Sequence, residues 1–266
     1  MRIRKPNNVI NFNGKDIKVN NILTSNMKLA VDIEAGYEVL GIQMAPHSIA
    51  GYNVCQFASL ECIKACIFTS GRGRFNNVQL ARIARKKLFF TNKKAFKDQL
   101  FYEITRAIKK NEKNGKKTAI RLNVFSDIPW EKVLPELFTF FPNVKFYDYT
   151  KNYNRVKAGY ILPSNYHLTF SRSENTSLQL INEILANNVN IAIPFACKKN
   201  ELPKQWNNIQ VINGDKSDIR FLDSIGVIVG LSVKGDGKKL TQGGFVQACN
   251  SQAIEINSNR FLLSLV

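Results

Sequence analysis

The sequence predicts an α/β fold: a single-domain partial (β/α) barrel on a mainly parallel sheet, with a cysteine-bearing loop after the first barrel strand. Three observations point there. A chain of 266 residues with 44% hydrophobic content can bury one large core. Short β-rich runs alternate with longer helical ones, and polar residues follow nearly every β-rich run.

The first β run is Tyr37 to Met44. Six more follow at Thr118 to Phe125, Val144 to Tyr149, Tyr166 to Phe170, Val189 to Phe195, Ile209 to Asn213 and Val227 to Val233. All are short and mostly apolar, as strands buried on both faces are. Helices are expected at Val78 to Phe90, Ala95 to Lys110, Trp130 to Phe141 and Ser177 to Asn187. The second stops at Asn114-Gly115, while the Asn- and Tyr-rich connection after Tyr149 is less clearly helical. This divides the chain into an N-terminal extension over 1–36, a core over 37–245 and a C-terminal segment over 246–266.

Barrel closure is favoured over an open sheet by the places of Ser126-Asp127, Asp148 with Lys151, Ser171-Arg172-Ser173, Asp215 with Asp218 and Arg220, and Lys234. Each lies at or just beyond the C-terminal end of a β run. A barrel gathers those ends at one mouth, where active sites form.

No run reaches the length of a membrane span, and the first residues lack an apolar signal stretch, so a cytoplasmic protein is expected. Lys plus Arg number 38 against 20 Asp plus Glu, a net charge of +18, which suits a polyanionic partner such as nucleic acid. The stretch from Arg82 to Lys117 holds thirteen basic residues against Asp98, Glu103 and Glu112, and reads as a basic helical face.

Five cysteines, three of them inside twelve residues, do not form a secreted disulfide framework, and a reducing cytosol would hold them as thiols. Cys55, Cys62 and Cys66 lie seven and four residues apart, close enough for one loop to wrap a metal or cluster. Thiolates are soft ligands that suit iron–sulfur clusters and zinc. Three of them leave one position open on a four-iron cluster, and an open position is what substrate chemistry needs. His47, Cys197 and Cys249 are the candidates for a fourth ligand. Directly after the cysteines, Gly71-Arg-Gly73-Arg74-Phe75 is a basic turn whose backbone amides suit an anion or a cluster sulfur.

Only His47 and His167 are present, which restricts histidine chemistry, and His167 in Tyr166-His-Leu-Thr-Phe170 reads as a core residue. Asp127, Asp148, Asp215 and Asp218 would be the ligands of a Mg²⁺-dependent nuclease, or else caps of helices and turns.

Several passages resemble the gene-product-88-like family of phage and plasmid proteins: Gly51-Tyr-Asn-Val-Cys55, Cys62, Cys66, Gly71-Arg-Gly-Arg-Phe75, Arg121-Leu-Asn-Val-Phe-Ser-Asp-Ile-Pro-Trp-Glu131, Phe146-Tyr-Asp-Tyr-Thr-Lys151, His167-Leu-Thr-Phe-Ser-Arg-Ser173 and Asn213-Gly-Asp-Lys-Ser-Asp-Ile-Arg-Phe-Leu-Asp223. The resemblance covers roughly residues 40 to 245. It implies a mobile-element protein and names no reaction.

A three-cysteine loop after the first strand of a β/α barrel is more distantly similar to the radical S-adenosylmethionine (SAM) enzymes. There three thiolates hold a four-iron cluster and SAM occupies the open iron. The spacing differs from that family's Cys-x3-Cys-x2-Cys, and its Gly-Gly-Glu strand end is missing, with Ser126-Asp127 as the positional counterpart.

The expectation is therefore an iron–sulfur enzyme of radical SAM type acting on nucleic acid or a nucleotide. Cys55, Cys62 and Cys66 would carry the cluster. Asp127, Asp148, Arg172 and Lys234 would act at the barrel mouth, and Gly71, Gly73, Ser126, Asp127, Ser171 and Asp215 would hold the cofactor. The alternative is a nucleic-acid-binding protein with a structural zinc or iron–sulfur site.

Overall fold

The computed structural model describes residues 5–25 and 36–249. Residues 250–266 of the expected C-terminal segment lie outside the described residues.

All seven expected β runs are strands. They are β4 (Tyr37–Ile42), β5 (Lys117–Arg121), β6 (Lys145–Thr150), β7 (Tyr166–Ser171), β8 (Ile191–Phe195), β10 (Ile209–Asn213) and β11 (Ile228–Ser232). Every pairing among them is parallel. The spatial order is β4-β5-β6-β7-β8-β11-β10, so the last two strands exchange places relative to the sequence.

Two short antiparallel strands flank this array, β3 (Leu23–Thr24) beside β4 and β9 (Gln205–Trp206) beside β10, which makes a nine-stranded, mostly parallel sheet. Among the described residues no pairing joins β3 to β9, so the sheet is not closed into a barrel.

Within the expected N-terminal extension, residues 5–25 are described. A hairpin of β1 (Asn8–Phe12) and β2 (Lys15–Val19) packs on α2 (Asn76–Thr91), and the buried residues Ile10, Val19, Ile22 and Leu23 join the main core. Glu103 on α3 (Lys93–Lys113) secures this connection by accepting the backbone N–H groups of Ile22 and Leu23 at 2.7–3.0 Å.

The short helix α1 (Leu60–Lys64) lies inside the cysteine loop, capped by the Ser59 hydroxyl on the Cys62 amide. The helix expected over Trp130 to Phe141 is two, α4 (Trp130–Val133) and α5 (Glu136–Phe140), because Pro135 cannot donate a helical hydrogen bond. Ser177 caps α6 (Leu178–Ala186) through the Leu180 amide.

Strand alternation separates two faces. Ile42, Ile120, Phe146, Leu168, Ile193 and Ile228 share the large core with the helices. On the other face, Val39, Ala119 and Tyr147 meet Ile219 and Phe221, so the segment between β10 and β11 returns across the sheet. Asp218 anchors it there, accepting Arg121 Nη1 at 3.1 Å and Tyr147 Oη at 2.8 Å.

Candidate functional site

A cavity of about 250 Å³ opens where the C-terminal ends of the parallel strands converge. It is lined by Arg121 at the end of β5 with Asn123, Ser126 and Asp127 just beyond, by Tyr149 and Lys151 at the end of β6, Ser171 at the end of β7, Pro194 near the end of β8, Asp215 after β10, and Ser232 and Lys234 at the end of β11. Cys55, Cys62 and Cys66 form the facing wall. Residues scattered over 180 positions of sequence are thus brought together by strand ends.

The thiols are neutral at ordinary pH in the absence of a ligand. Burial pushes Cys55 up to about 12 and Cys66 up to about 11, and raises Cys62 as well. Each thiol lies within electrostatic reach of a different cation. Lys86 interacts with Cys55, Lys151 with Cys62 and Arg82 with Cys66. The cationic heads of all three bind only neutral acceptors among the described residues. Lys86 Nζ donates to the His47 and Ile49 carbonyls at 2.6 and 2.5 Å. Lys151 Nζ donates to Ser171 O and Oγ and to Arg172 O at 3.0–3.1 Å. Arg82 donates to the Phe68 carbonyl and to Gln43 Oε1, and stacks on Phe125.

Withdrawing cations from water with only neutral hydrogen-bond acceptors for their heads is costly, and for Lys151 the charges of Asp127 and Glu174 offset part of that cost. Three thiolates formed on ligand binding would offset that cost. Sequence reasoning missed this set, because Arg82 and Lys86 come from the basic stretch expected to face solvent. Arg85 also turns inward, onto the Asn21 and Gln43 carbonyls at 2.6 and 3.1 Å.

Among the described residues, no group of three His, Cys, Asp or Glu side chains is arranged to hold a single metal ion. A closed zinc site is therefore not preformed. The carboxylate site of a Mg²⁺ nuclease is not assembled either, since Asp127 pairs with Arg155, Asp215 with Lys234 and Asp218 with Arg121, and Asp148 is held by Asn123 and Tyr166. A four-iron cluster spreads its thiolates further apart than one ion does. Cys55, Cys62 and Cys66, on one wall of the cavity, are the donors such a group would use.

No candidate for a fourth ligand reaches the cavity: Cys197 and Cys249 are joined in a disulfide with Cα atoms 5.6 Å apart, instead of being two free thiols. His47 contributes its backbone N–H, donated to Cys55 Sγ at 3.3 Å.

Of the residues singled out in the sequence, Ser126, Asp127, Ser171, Asp215 and Lys234 line the cavity, and Asp148, Arg172, Gly71 and Gly73 do not. Asp148 is fully buried on the helix side of β6, where it accepts from the Asn123 amide, Asn123 Nδ2 at 3.0 Å and Tyr166 Oη at 2.6 Å. Arg172 turns to Gly244 O at 2.7 Å.

Asn123 organises its whole neighbourhood: its Oδ1 accepts Ser126 Oγ, the Ile128 amide and Trp130 Nε1 at 2.7–3.1 Å. That network accounts for Asn123, Ser126 and Trp130 in the stretch from Arg121 to Glu131.

The Gly71–Arg74 turn is a packing device. Its Gly73 amide is already donated to Ser70 O, and a Cβ on Gly73 would collide with the Phe68 carbonyl oxygen. The Phe68 backbone also hydrogen-bonds Cys66. Gly73→Ala is expected to destabilise the protein by about 1–3 kcal/mol through overpacking. It should also loosen Cys66, measured as faster alkylation of that thiol in the native state. Unchanged melting temperature and alkylation rate would remove Gly73 from this role.

Burial moves Asp148 up to about 7, against the hydrogen bonds from Tyr166 and Asn123 that favour its ionised form. A raised carboxyl adds stability that is complete below its unfolded pKa near 4 and is lost as pH climbs through 7. His167 has the opposite sign. Burial and then the Arg220 charge lower it to about 4, so its contribution is present above 6.5 and lost as pH falls. Asp148→Asn should therefore lose stability on acidification from pH 7 to 5 more steeply than the parent chain, read from melting temperatures. Parallel profiles for the two proteins would refute the assignment to Asp148.

The model of the Gene product 88 family matches residues 12–253. The chain belongs to the Gene product 88 family. Its Gene product 88 match spans β2 to β11, the cysteine loop and every residue lining the cavity, and is consistent with a phage-type protein. No curated protein matches, and no solved structure matches. The more distant likeness to radical SAM enzymes receives no support from these comparisons. Among the described residues no helix is long and apolar enough to cross a membrane.

Proposed function

We propose that this Gene product 88 protein is an iron–sulfur enzyme of radical SAM type, with Cys55, Cys62 and Cys66 carrying a four-iron cluster beside the strand-end cavity. The observation that carries this reading is that Cys55, Cys62 and Cys66 share one cavity wall, with Lys86, Lys151 and Arg82 close enough to act on them by charge. A cluster with one open iron would supply one-electron chemistry to a small molecule in the cavity, SAM being the first candidate. The seven parallel strands are read here as the wall of an incomplete barrel with the cavity at its mouth.

Lys86, Lys151 and Arg82 stabilise the thiolates by charge. Asp127 is held at the cavity edge by the Lys151 amide at 2.8 Å and Arg155 at 3.1 Å, and offers a carboxylate to a ligand's amino group. Lys234, held by Asp215 at 2.7 Å, offers an ammonium to an anionic group. The apolar part of the wall, including Val124, Phe125, Leu231 and Phe245, excludes water around both.

The test is anaerobic purification with iron, sulfide and zinc analysis, visible absorbance and electron paramagnetic resonance before and after adding SAM. A reducible four-iron signal that shifts with SAM supports the proposal. Stoichiometric zinc without a visible chromophore overturns it in favour of a cytoplasmic nucleic-acid-binding protein with a structural metal.

A further inference from the structure

The turn that delivers Asp215 to the cavity has an outer side. There it forms one wall of a second pocket, of about 260 Å³, lined by Lys199, Lys204, Lys216, Asn213, Leu202 and Val211 among others. No carboxylate is among its lining residues.

The pocket is built on fixed backbone. Asn213 Nδ2 donates to Lys199 O at 2.7 Å while its Oδ1 accepts the Asp215 amide at 3.0 Å, so one side chain clamps the loop after β8 to the turn after β10. Val211 N donates to Lys204 O at 2.9 Å, and Gly214 N donates to Gly230 O at 2.8 Å. A Cβ on Gly214 would run into Val229, Arg220 and Leu231, so the turn is pressed flat against β11. The neighbouring Lys198 is engaged with Glu201 at 3.5 Å and is not part of the lining.

Three exposed lysines lining one pocket together with the apolar Leu202 and Val211 suit a phosphate joined to a sugar and base. Asp215 and Asn213 are two residues apart, so the two pockets are separated by no more than about 7 Å of chain. The inner cavity, at about 250 Å³, is too small for a duplex.

We infer that the Lys199–Lys204–Lys216 pocket is a phosphate site for single-stranded nucleic acid, which places the adjoining nucleotide in the cavity. This rests on the reading that the cavity is the reaction site, and it names the substrate class.

The probe is a fluorescein-labelled single-stranded DNA dodecamer bound to the full-length protein across a salt series. The variant K199Q/K204Q/K216Q is compared with K93Q/K109Q/K113Q, which removes the same charge from exposed positions on α3. The pocket variant is expected to bind about tenfold or more weakly, with a log–log salt slope shallower by about 2, since single strands release about 0.7 counterion per contact. The α3 variant should retain most of the affinity.

Equal losses in both variants would reduce the effect to general charge and overturn the site, as would absence of binding at low salt. Full displacement by millimolar inorganic phosphate would show a site for the free ion and overturn the strand. Measuring the same dodecamer on Cys62→Ser protein keeps the two proposals apart, because binding there persists even if no cluster forms.

Discussion

Cys62→Ser is expected to cut the iron retained after anaerobic reconstitution by at least about tenfold while leaving the circular dichroism spectrum unchanged. The residue lies on α1, a five-residue helix at the cavity wall with no fully buried side chain, so its loss does not open the main core. Cys55→Ser and Cys66→Ser should behave alike, because the three thiols belong to one donor set. The sharper version concerns the cations. Lys151→Met removes the ammonium opposite Cys62 but leaves every thiol in place. It should weaken iron retention by about 10- to 100-fold, the usual effect of removing a group that supports a ligand. If both variants hold iron as the parent does, the thiols are structural and the proposed function fails. If Cys62→Ser loses iron and Lys151→Met does not, the cluster stands and the charge pairing is wrong.

The strands were legible because each is a compact apolar run, and their polar followers did mark the cavity. The site was less legible, for reasons that lie in strand parity and in the choice of acceptors. Asp148 is two residues from Phe146, so both point to the same face; a core Phe146 already commits Asp148 to the helix side and away from the cavity. Attention to parity would have separated it from Asp127 and Asp215.

Arg82, Arg85 and Lys86 read as part of a charged surface because their hydrogen-bond acceptors are mostly backbone carbonyls, which leave no trace in the sequence. The exchange of β10 and β11 was also hidden, since it depends on the 214–227 connection crossing the sheet rather than on the character of either strand. Pro135 was visible in the sequence, and its effect on the helix after Trp130 follows from its missing N–H.

Arg155→Met is expected to be among the most destabilising single changes, at about 3–5 kcal/mol, the cost of breaking a buried ion pair. The guanidinium is 1% exposed and joins Asp127 at 3.1 Å and Glu131 at 2.7 Å, while Nη2 donates to Tyr166 Oη at 3.0 Å. Tyr166 in turn donates to Asp148, and Tyr160 donates to Glu131 at 2.7 Å. One side chain therefore neutralises two buried carboxylates and ties the stretch after β5 to the turn after β6. Methionine fills much of the volume but leaves both acids without their cation. For a protein of this size the melting temperature should fall by roughly 6–20 °C. Adding Glu131→Gln should recover part of the loss, since it removes one of the stranded charges, and a double-mutant cycle would read that coupling directly. Lys94→Met, at an exposed helical pair with Asp98, should change stability by less than about 0.5 kcal/mol. Comparable effects at Arg155 and Lys94, or no coupling between positions 155 and 131, would mean that the buried network does not hold Asp127 at the cavity edge.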